Sequence, residues 1–301
     1  MPERPPRQTI SYLKERFADA GVRIEHRWGQ NFLTDLNILD KIVEAAELTE
    51  HDIVLEVGTG AGSLTGLLAM HAGTVIGVEI DPHMRQLASE ELFDFENVTF
   101  LNEDALENKH TLNPRMVELL NEALAVGPDR QFKLVANLPY NIATPLIALL
   151  LEQERPPELM LVTVQKEVAD RFVATPSTKD YGAVSVWVQS QCRVKIERTL
   201  PPSVFWPRPH VDSAVVRLEF DPELRAQIGD RRAFQKFAHD VMQFRRKHLA
   251  GVLARVYPDF FRGAIDDLLA ELNIPPNTRA EELSVETLIG LFHRIGPTAV
   301  S

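Results

Sequence analysis

The sequence predicts an α/β protein, a parallel sheet with crossover helices followed by a small C-terminal all-helical domain. Three observations predict it. Short β-branched, apolar runs at 53–57, 75–78, 98–101 and 132–136 are separated by segments long enough for crossover helices. The first run passes at once into Gly58-Thr59-Gly60-Ala61-Gly62 and then Leu64, Leu67 and Leu68 at helical spacing, which reads as strand, tight turn and helix. After Asp221-Pro222 the strand-like runs stop and only helical spacing remains.

Taken in order, Ile53-Val54-Leu55-Glu56-Val57 is a buried strand whose glycine turn lets backbone approach a ligand closely. Val75-Ile76-Gly77-Val78 is a second strand ending in Glu79, twenty-one residues after Gly58, where an acid can accept both hydroxyls of a ribose. Val98-Thr99-Phe100-Leu101 is a third, leading to Asp104, placed to accept from an adenine amine. Successive strand ends on one sheet edge are where open α/β sheets bind ligands. The spacing is Gly-X-Gly-X-Gly, and Asp104 has no fixed task in a dinucleotide site. One adenosine without pyrophosphate therefore fits better than a nicotinamide cofactor, and the ligand of choice is S-adenosylmethionine. Residues 105 to 130, with Pro114 and Gly127-Pro128, form a long helix-bearing connection.

The fourth strand, Phe132-Lys133-Leu134-Val135-Ala136, ends in Asn137-Leu138-Pro139-Tyr140. Read alone, this tetrapeptide fits a plain turn. Behind a strand it also presents the tools for making an aromatic amine nucleophilic. The amide oxygen of Asn137 and the carbonyl of Leu138 are acceptors for amine N–H groups. Pro139 removes a competing donor and restricts Leu138 to extended geometry. Tyr140 offers a face for stacking. Phe205, just before the spaced prolines Pro207 and Pro209, reads either as a core aromatic at a strand entrance or as a second stacking face. Ser213 to Leu218 is the last strand, and the first domain is expected to end near residue 220. Beyond it, Phe234, Phe237, Ala238, Val241, Met242, Leu249, Val252 and Leu253 predict one helical stretch. A second helix starts at Pro258-Asp259 and carries Ile265, Leu268, Leu269 and Leu272. Ser284 is the N-cap of a third, with Leu283 and Leu288 as its hydrophobic staple.

Composition narrows the class. The 301 residues, 45% of them hydrophobic, suffice for two domains. A single cysteine, Cys192, excludes an intramolecular disulfide and a cysteine-rich metal site, and the nine histidines lack metal-ligand spacing, so no metal is expected. No apolar run approaches membrane-spanning length and the N-terminus has no apolar signal core, which points to a cytoplasmic protein. Nor do heptads or repeats suggest anything beyond a monomer. The net charge of −11 argues against a polyanionic partner, but Arg231 to Lys247 holds six basic residues against one acid. Arg245-Arg246-Lys247 is thus a solvated helix face or an RNA contact.

Together these segments carry a resemblance. The Gly29-Gln30-Asn31-Phe32-Leu33 stretch, the turn from Glu56 to Gly62, Asn137 to Leu146, Val164 to Arg171, Lys179-Asp180-Tyr181-Gly182, Phe205 to Val216, Arg245-Arg246-Lys247 and Arg279 to Ser284 occur in this order. The chain resembles the ribosomal RNA small-subunit adenine dimethyltransferase family, of the KsgA type. The resemblance implies a Rossmann-like S-adenosylmethionine-dependent methyltransferase sheet at 1–220 and a helical RNA-contacting domain at 221–301. It implies cofactor contacts at Gln30, Asn31, Leu33, Gly58, Gly60, Glu79, Asp104 and Asn137, with catalysis at Asn137, Leu138, Pro139, Tyr140 and Phe205. RNA contacts are expected at Arg27, Arg208, Arg245, Arg246 and Lys247. The implied reaction is dimethylation of the exocyclic amine of two adjacent adenosines in a 3′-terminal hairpin of 16S rRNA, within an immature small ribosomal subunit, with a role in its biogenesis. Thr59, Trp28 and Phe244 stand where the family commonly has proline, phenylalanine and glutamine.

Overall fold

The computed structural model describes residues 4–6, 8–21, 30–258 and 262–296. Arg27 and Trp28 lie outside the described residues. The chain divides into two compact units, Met1–Ala169 with Lys195–Glu219, and Asp170–Val194 with Phe220–Ser301. The expected single boundary near 220 is therefore corrected, because 170–194 also joins the helical unit. Its helix over Ala183–Gln189 is apolar, and it lies against the first long helix of that unit.

The first unit begins with α1 (Ile10–Asp19), β1 (Phe32–Leu33) and α2 (Leu36–Ala45). Alternating elements follow: β2 (Asp52–Val57), α3 (Ser63–Ala69), β3 (Thr74–Val78), α4 (Pro82–Glu91) and β4 (Val98–Leu101). The long connection holds a hairpin, β5 (Leu106–Asn108) and β6 (Thr111–Leu112), then α5 (Pro114–Leu124), which is capped by the Asn113 side chain. After it come β7 (Gln131–Asn137), α6 (Ala143–Glu152), β8 (Leu159–Gln165) and α7 (Lys166–Phe172). The next elements are α8 (Ala183–Gln189), β9 (Cys192–Leu200), β10 (Phe205–Trp206) and β11 (Ser213–Phe220).

The main sheet has the order β4-β3-β2-β7-β8-β11-β9. Its first five strands are parallel and β11 runs antiparallel to β8. These strands read as continuous apolar runs because both faces are buried. The chain leaves β2 towards β3 and β4 and returns to pair β7 with β2, so the switch point lies between β2 and β7. Their carboxyl ends carry the glycine turn and Asn137, which is where this topology opens a crevice. At the opposite end Lys133 Nζ, buried, is held by Asp52 at 3.1 Å and by the Ala46 and Glu47 carbonyls at 3.2 and 2.9 Å. Every one of those partners is an acceptor, so this buried charge is satisfied away from the site.

The second unit contains α8, α9 (Pro222–Ala226), α10 (Arg231–Met242), α11 (Leu249–Val256), α12 (Arg262–Glu271) and α13 (Val285–Ile295). The helical stretch expected from 234 to 253 is two helices, since the backbone turns through 243–248 before His248 bridges to Arg279. Ser284 accepts from the Thr287 N–H, as its N-cap role requires. Phe234, Phe237 and Phe292 form the aromatic centre, with centroids 5.5–6.2 Å apart. Phe244 lies under the Arg255 guanidinium at 4.4 Å, which gives the unusual phenylalanine a cation–π partner.

Arg245 has a structural task. Its guanidinium donates to the Tyr181 carbonyl and, at 2.6 Å, to that of Lys179, while Nε lies 3.7 Å from Glu281. The guanidinium passes close over Gly182, where a Cβ would meet Nη1 at 3.4 Å, an ordinary contact distance. The expected RNA contact at Arg245 is thereby corrected to a clamp on the 179–182 segment, whereas Arg246 and Lys247 are exposed. Arg245→Met removes both hydrogen bonds to the 179–182 segment and is expected to destabilise the chain by about 1–3 kcal/mol, read from urea denaturation.

Candidate active site

The cleft at the carboxyl ends of β2, β3, β4 and β7 is built first by the glycine turn. Gly58, Gly60 and Gly62 have φ of 82°, 54° and 86°, a region open to glycine at little cost. Space adds a second constraint: a Cβ on Gly58 would stand 3.0 Å from the Pro139 ring and one on Gly60 2.9 Å from Phe32. Thr59, the departure from proline, packs its methyl where a Cβ on Gly77 would be, at 2.7 Å.

Glu79, expected to hold a ribose, lines the cleft directly after β3 and is 6% exposed. Its Oε2 accepts from the Gly60 N–H at 2.8 Å and its Oε1 from the Asp81 N–H at 3.0 Å. Burial pushes its pKa up to about 7, against the lowering effect of those donors. Asp104 is exposed, and its Oδ1 accepts from the Leu106 N–H at 3.0 Å, which fixes the carboxylate at the rim. Asn31 and Leu33 also line the cleft, as does Gln30, whose Nε2 donates to Asp81 at 2.8 Å.

Asn137 ends β7. Its Nδ2 donates to the Asn31 carbonyl at 2.8 Å. A carbonyl can only accept, so the amide orientation is fixed, and Oδ1 is the atom presented as acceptor. The Leu138 N–H donates to the Thr163 carbonyl at 3.1 Å and the Ile142 N–H to that of Pro139 at 3.2 Å, so the tetrapeptide is held from both ends. Tyr140 is half-buried, with its hydroxyl 2.7 Å from Ser213 Oγ. Burial raises its pKa, so it stays a neutral ring anchored at its edge.

Phe205 is the exception. It is 1% exposed in the apolar cluster with Leu33, Leu39, Leu200 and Val215, and it is absent from the cleft lining. The expected stacking face is thus corrected to a core residue. The cause is the pairing of β10 with β1, Leu33 opposite Phe205 and Phe32 opposite Trp206, which directs alternate side chains to opposite faces. Phe205→Leu is expected to cost about 1–1.5 kcal/mol of stability in a melting experiment, with turnover changed by less than threefold or so. A stacking role would instead weaken RNA binding by about 1–3 kcal/mol.

The cleft also contains residues that the motifs do not announce. Ile80, 40% exposed, follows Glu79 and gives that side of the cleft an apolar flank; an apolar residue after the strand-end acid is the available signal. Glu56, at the end of β2, is 1% exposed with Oε2 lacking a partner among the described residues, and burial raises its pKa well above the carboxylate range. Glu103, Asn141, Gln8 and Leu13 are among the other lining residues. Two buried acids, Glu56 and Glu79, a rim acid, Asp104, and an apolar flank fit a ligand that joins an adenosine to a cationic tail. Among the described residues no group of three histidine, cysteine, aspartate or glutamate side chains could hold a metal ion.

Residues 21–296 match the model of the ribosomal RNA adenine dimethylase family. A ribosomal RNA small subunit methyltransferase A from Alkaliphilus oremlandii is 40% identical over 258 residues, 86% of this chain and 87% of its own. The protein of the same name from Bacillus cytotoxicus is 36% identical over 292 residues, 96% of this chain and 97% of its own. Among solved structures, a dimethyladenosine transferase from Plasmodium falciparum superposes with a TM-score of 0.74, covering 88% of this chain and 97% of its own at 24% identity. That last likeness bears on the fold alone.

Proposed function

The chain belongs to the ribosomal RNA adenine dimethylase family, and from that premise we propose that it dimethylates two adjacent adenosines in a 3′-terminal hairpin of 16S rRNA. The activity is S-adenosylmethionine-dependent N6,N6-dimethylation of adenine in ribosomal RNA. The substrate is the rRNA of an immature small subunit, met in the cytoplasm by a monomer. The observation that carries the reading is Asn137, whose amide is locked by the Asn31 carbonyl so that an oxygen is offered beside the cofactor cleft.

S-adenosylmethionine, when bound, supplies an activated sulfonium methyl. Gly58 and Gly60 would bring backbone close to it, Glu79 would accept from its ribose and Asp104 from its adenine amine. Gln30, Asn31 and Leu33 form the opposite wall. The target amine donates to Asn137 Oδ1 and the Leu138 carbonyl, which draws electron density back to nitrogen and favours the positive charge that develops as it attacks. Tyr140, anchored through Ser213, stacks on the base, and Pro139 keeps the Leu138 carbonyl in place. The proton leaves to water, so alignment and charge stabilisation carry the step rather than a strong base.

Exposed Arg208, Arg246 and Lys247 meet phosphates, and Arg27 does so in the same reading. Arg246→Ala is expected to leave stability unchanged while lowering the slope of log binding constant against log salt by about one. The test of the function is methyl transfer from labelled donor to unmethylated small and large subunits in parallel, with nucleoside analysis. Dimethyladenosine in the small subunit alone supports the reading; signal in the large subunit, or none despite donor binding, overturns it.

A further inference from the structure

Gln8 and Leu13 lie ahead of every motif above and ahead of the residues matched by the family model, yet both line the cleft. Gln8 is 3% exposed, and its Nε2 donates to the Ala61 carbonyl at 2.7 Å, inside the glycine turn. Leu13, on α1, packs with Phe17, Ala61, Met84 and Leu87.

The segment is fastened along its length. Pro5 covers Gly66, where a Cβ would come within 2.5 Å of the proline ring, and Arg4 pairs with Asp40. Tyr12 donates to Glu91, and Arg16 pairs with Glu91 at 3.0 Å and Glu90 at 3.2 Å. Phe17 packs on Phe32 and Trp206 at 5.5 and 5.8 Å, with Lys14 over the indole at 5.8 Å. Trp206, left out of the core by the register that buries Phe205, thus finds its partners in this segment.

We propose that the N-terminal helix is a wall of the methyl-donor site and that Gln8 is a positioning residue which holds the glycine turn in its donor-binding shape. The inference rests on the cleft holding S-adenosylmethionine. A turn with left-handed residues at 58, 60 and 62 leaves backbone groups outside any ladder, and each buried one needs a partner. Gln8 supplies it for Ala61. One residue earlier, the Gly60 N–H donates to Glu79, the ribose acceptor. A turn released at Ala61 therefore loosens the hydrogen bond that aims Glu79.

The test is calorimetric binding of S-adenosylmethionine to the full chain, with steady-state kinetics beside it, well below the melting temperature of each variant. Gln8→Leu keeps the bulk and removes the donor. It is expected to raise Kd and the donor KM together by about tenfold, as the loss of one well-placed hydrogen bond would, with kcat at saturating donor little changed. Leu13→Ala, which opens the wall without touching the hydrogen bond, is expected to weaken binding in the same way. Arg4→Ala, loosening the segment away from the cleft, leaves Kd as in the parent. Donor affinities equal to the parent in both Gln8→Leu and Leu13→Ala overturn the inference, as does a loss confined to kcat. A parent chain that binds no donor overturns the functional reading beneath it, which is a separate result.

Discussion

Asn137→Ala is expected to lower kcat for adenine methylation by about 10²–10³-fold, the cost of removing one aligned electrostatic contact to a developing charge. The amide has two edges: Nδ2 donates to the Asn31 carbonyl, and Oδ1 is the acceptor that the proposed function assigns to the target amine. Alanine loses both, so the donor wall at Gln30 to Leu33 loosens too and a smaller rise in donor Kd accompanies the loss of turnover. Asn137→Asp separates the jobs. It keeps an acceptor for the amine but sets a carboxylate against the Asn31 carbonyl, so the wall suffers more than the chemistry. Single-turnover rates and donor Kd measured on both variants check the division; equal kcat for Asn137→Ala and the parent would sink the assigned role. The alanine variant also bears on biogenesis. If it binds immature small subunits and restores growth of a strain lacking the gene, methyl transfer is not the essential contribution.

Glu79→Gln is expected to weaken donor binding by about a hundredfold, since under the proposed function Glu79 accepts two ribose hydroxyls and the amide nitrogen cannot accept. The same change should alter stability in a pH-dependent manner. The folded-state pKa of Glu79 is raised to about 7 by burial, against an ordinary value of 4.5. A raised pKa means the folded state holds the proton more tightly than the unfolded one. Its favourable contribution is complete below about pH 4.5 and is lost as pH rises through 7. A tenfold difference in proton affinity is worth about 1.4 kcal/mol, so the parent is expected to lose roughly 3 kcal/mol across that interval relative to Glu79→Gln. The amide also forfeits one of the two N–H contacts from Gly60 and Asp81, a cost of about 1–2 kcal/mol that does not vary with pH. The difference in slope between the two denaturation series, not the absolute stability, is therefore the quantity to compare. Donor affinity should follow the opposite course in the parent, falling as pH drops below 7, and be flatter in Glu79→Gln. Glu56 and Asp81 lie close by, and Glu56→Gln serves as the control for the second buried acid. An unchanged pH slope in Glu79→Gln would refute the assignment.

What was legible is where the residues lie: Gly58, Glu79 and Asn137 stand at the ends of apolar runs, Gly60 and Asp104 within three residues of one, and a parallel sheet brings such ends to one edge. Ser284 is readable as well, because its partner is three residues away. Phe205 is not. Whether it or Trp206 enters the core depends on which of two adjacent side chains faces inward, and a shift of one residue in the pairing with β1 would exchange them. Arg245 is illegible on similar grounds, since its carbonyl partners lie 64 and 66 residues away, and a basic triplet carries no mark of which member turns inward. The return of 170–194 to the helical unit follows from the packing of α8 against α10, a long-range contact without a local signature.

By itself the sequence determined the βαβ class and put Gly58, Glu79, Asp104 and Asn137 at or just beyond strand ends on one edge of the sheet. Those follow from strand periodicity and from residues at strand ends, which are properties of short stretches of chain. Only the tertiary structure decided that Asn137 is oriented by Asn31, 106 residues away, that Phe205 is core, that Arg245 is a clamp, and that Gln8 closes on Ala61, 53 residues ahead of it. Each is settled by which buried donor reaches which acceptor, or which ring fills which space, after distant segments have packed.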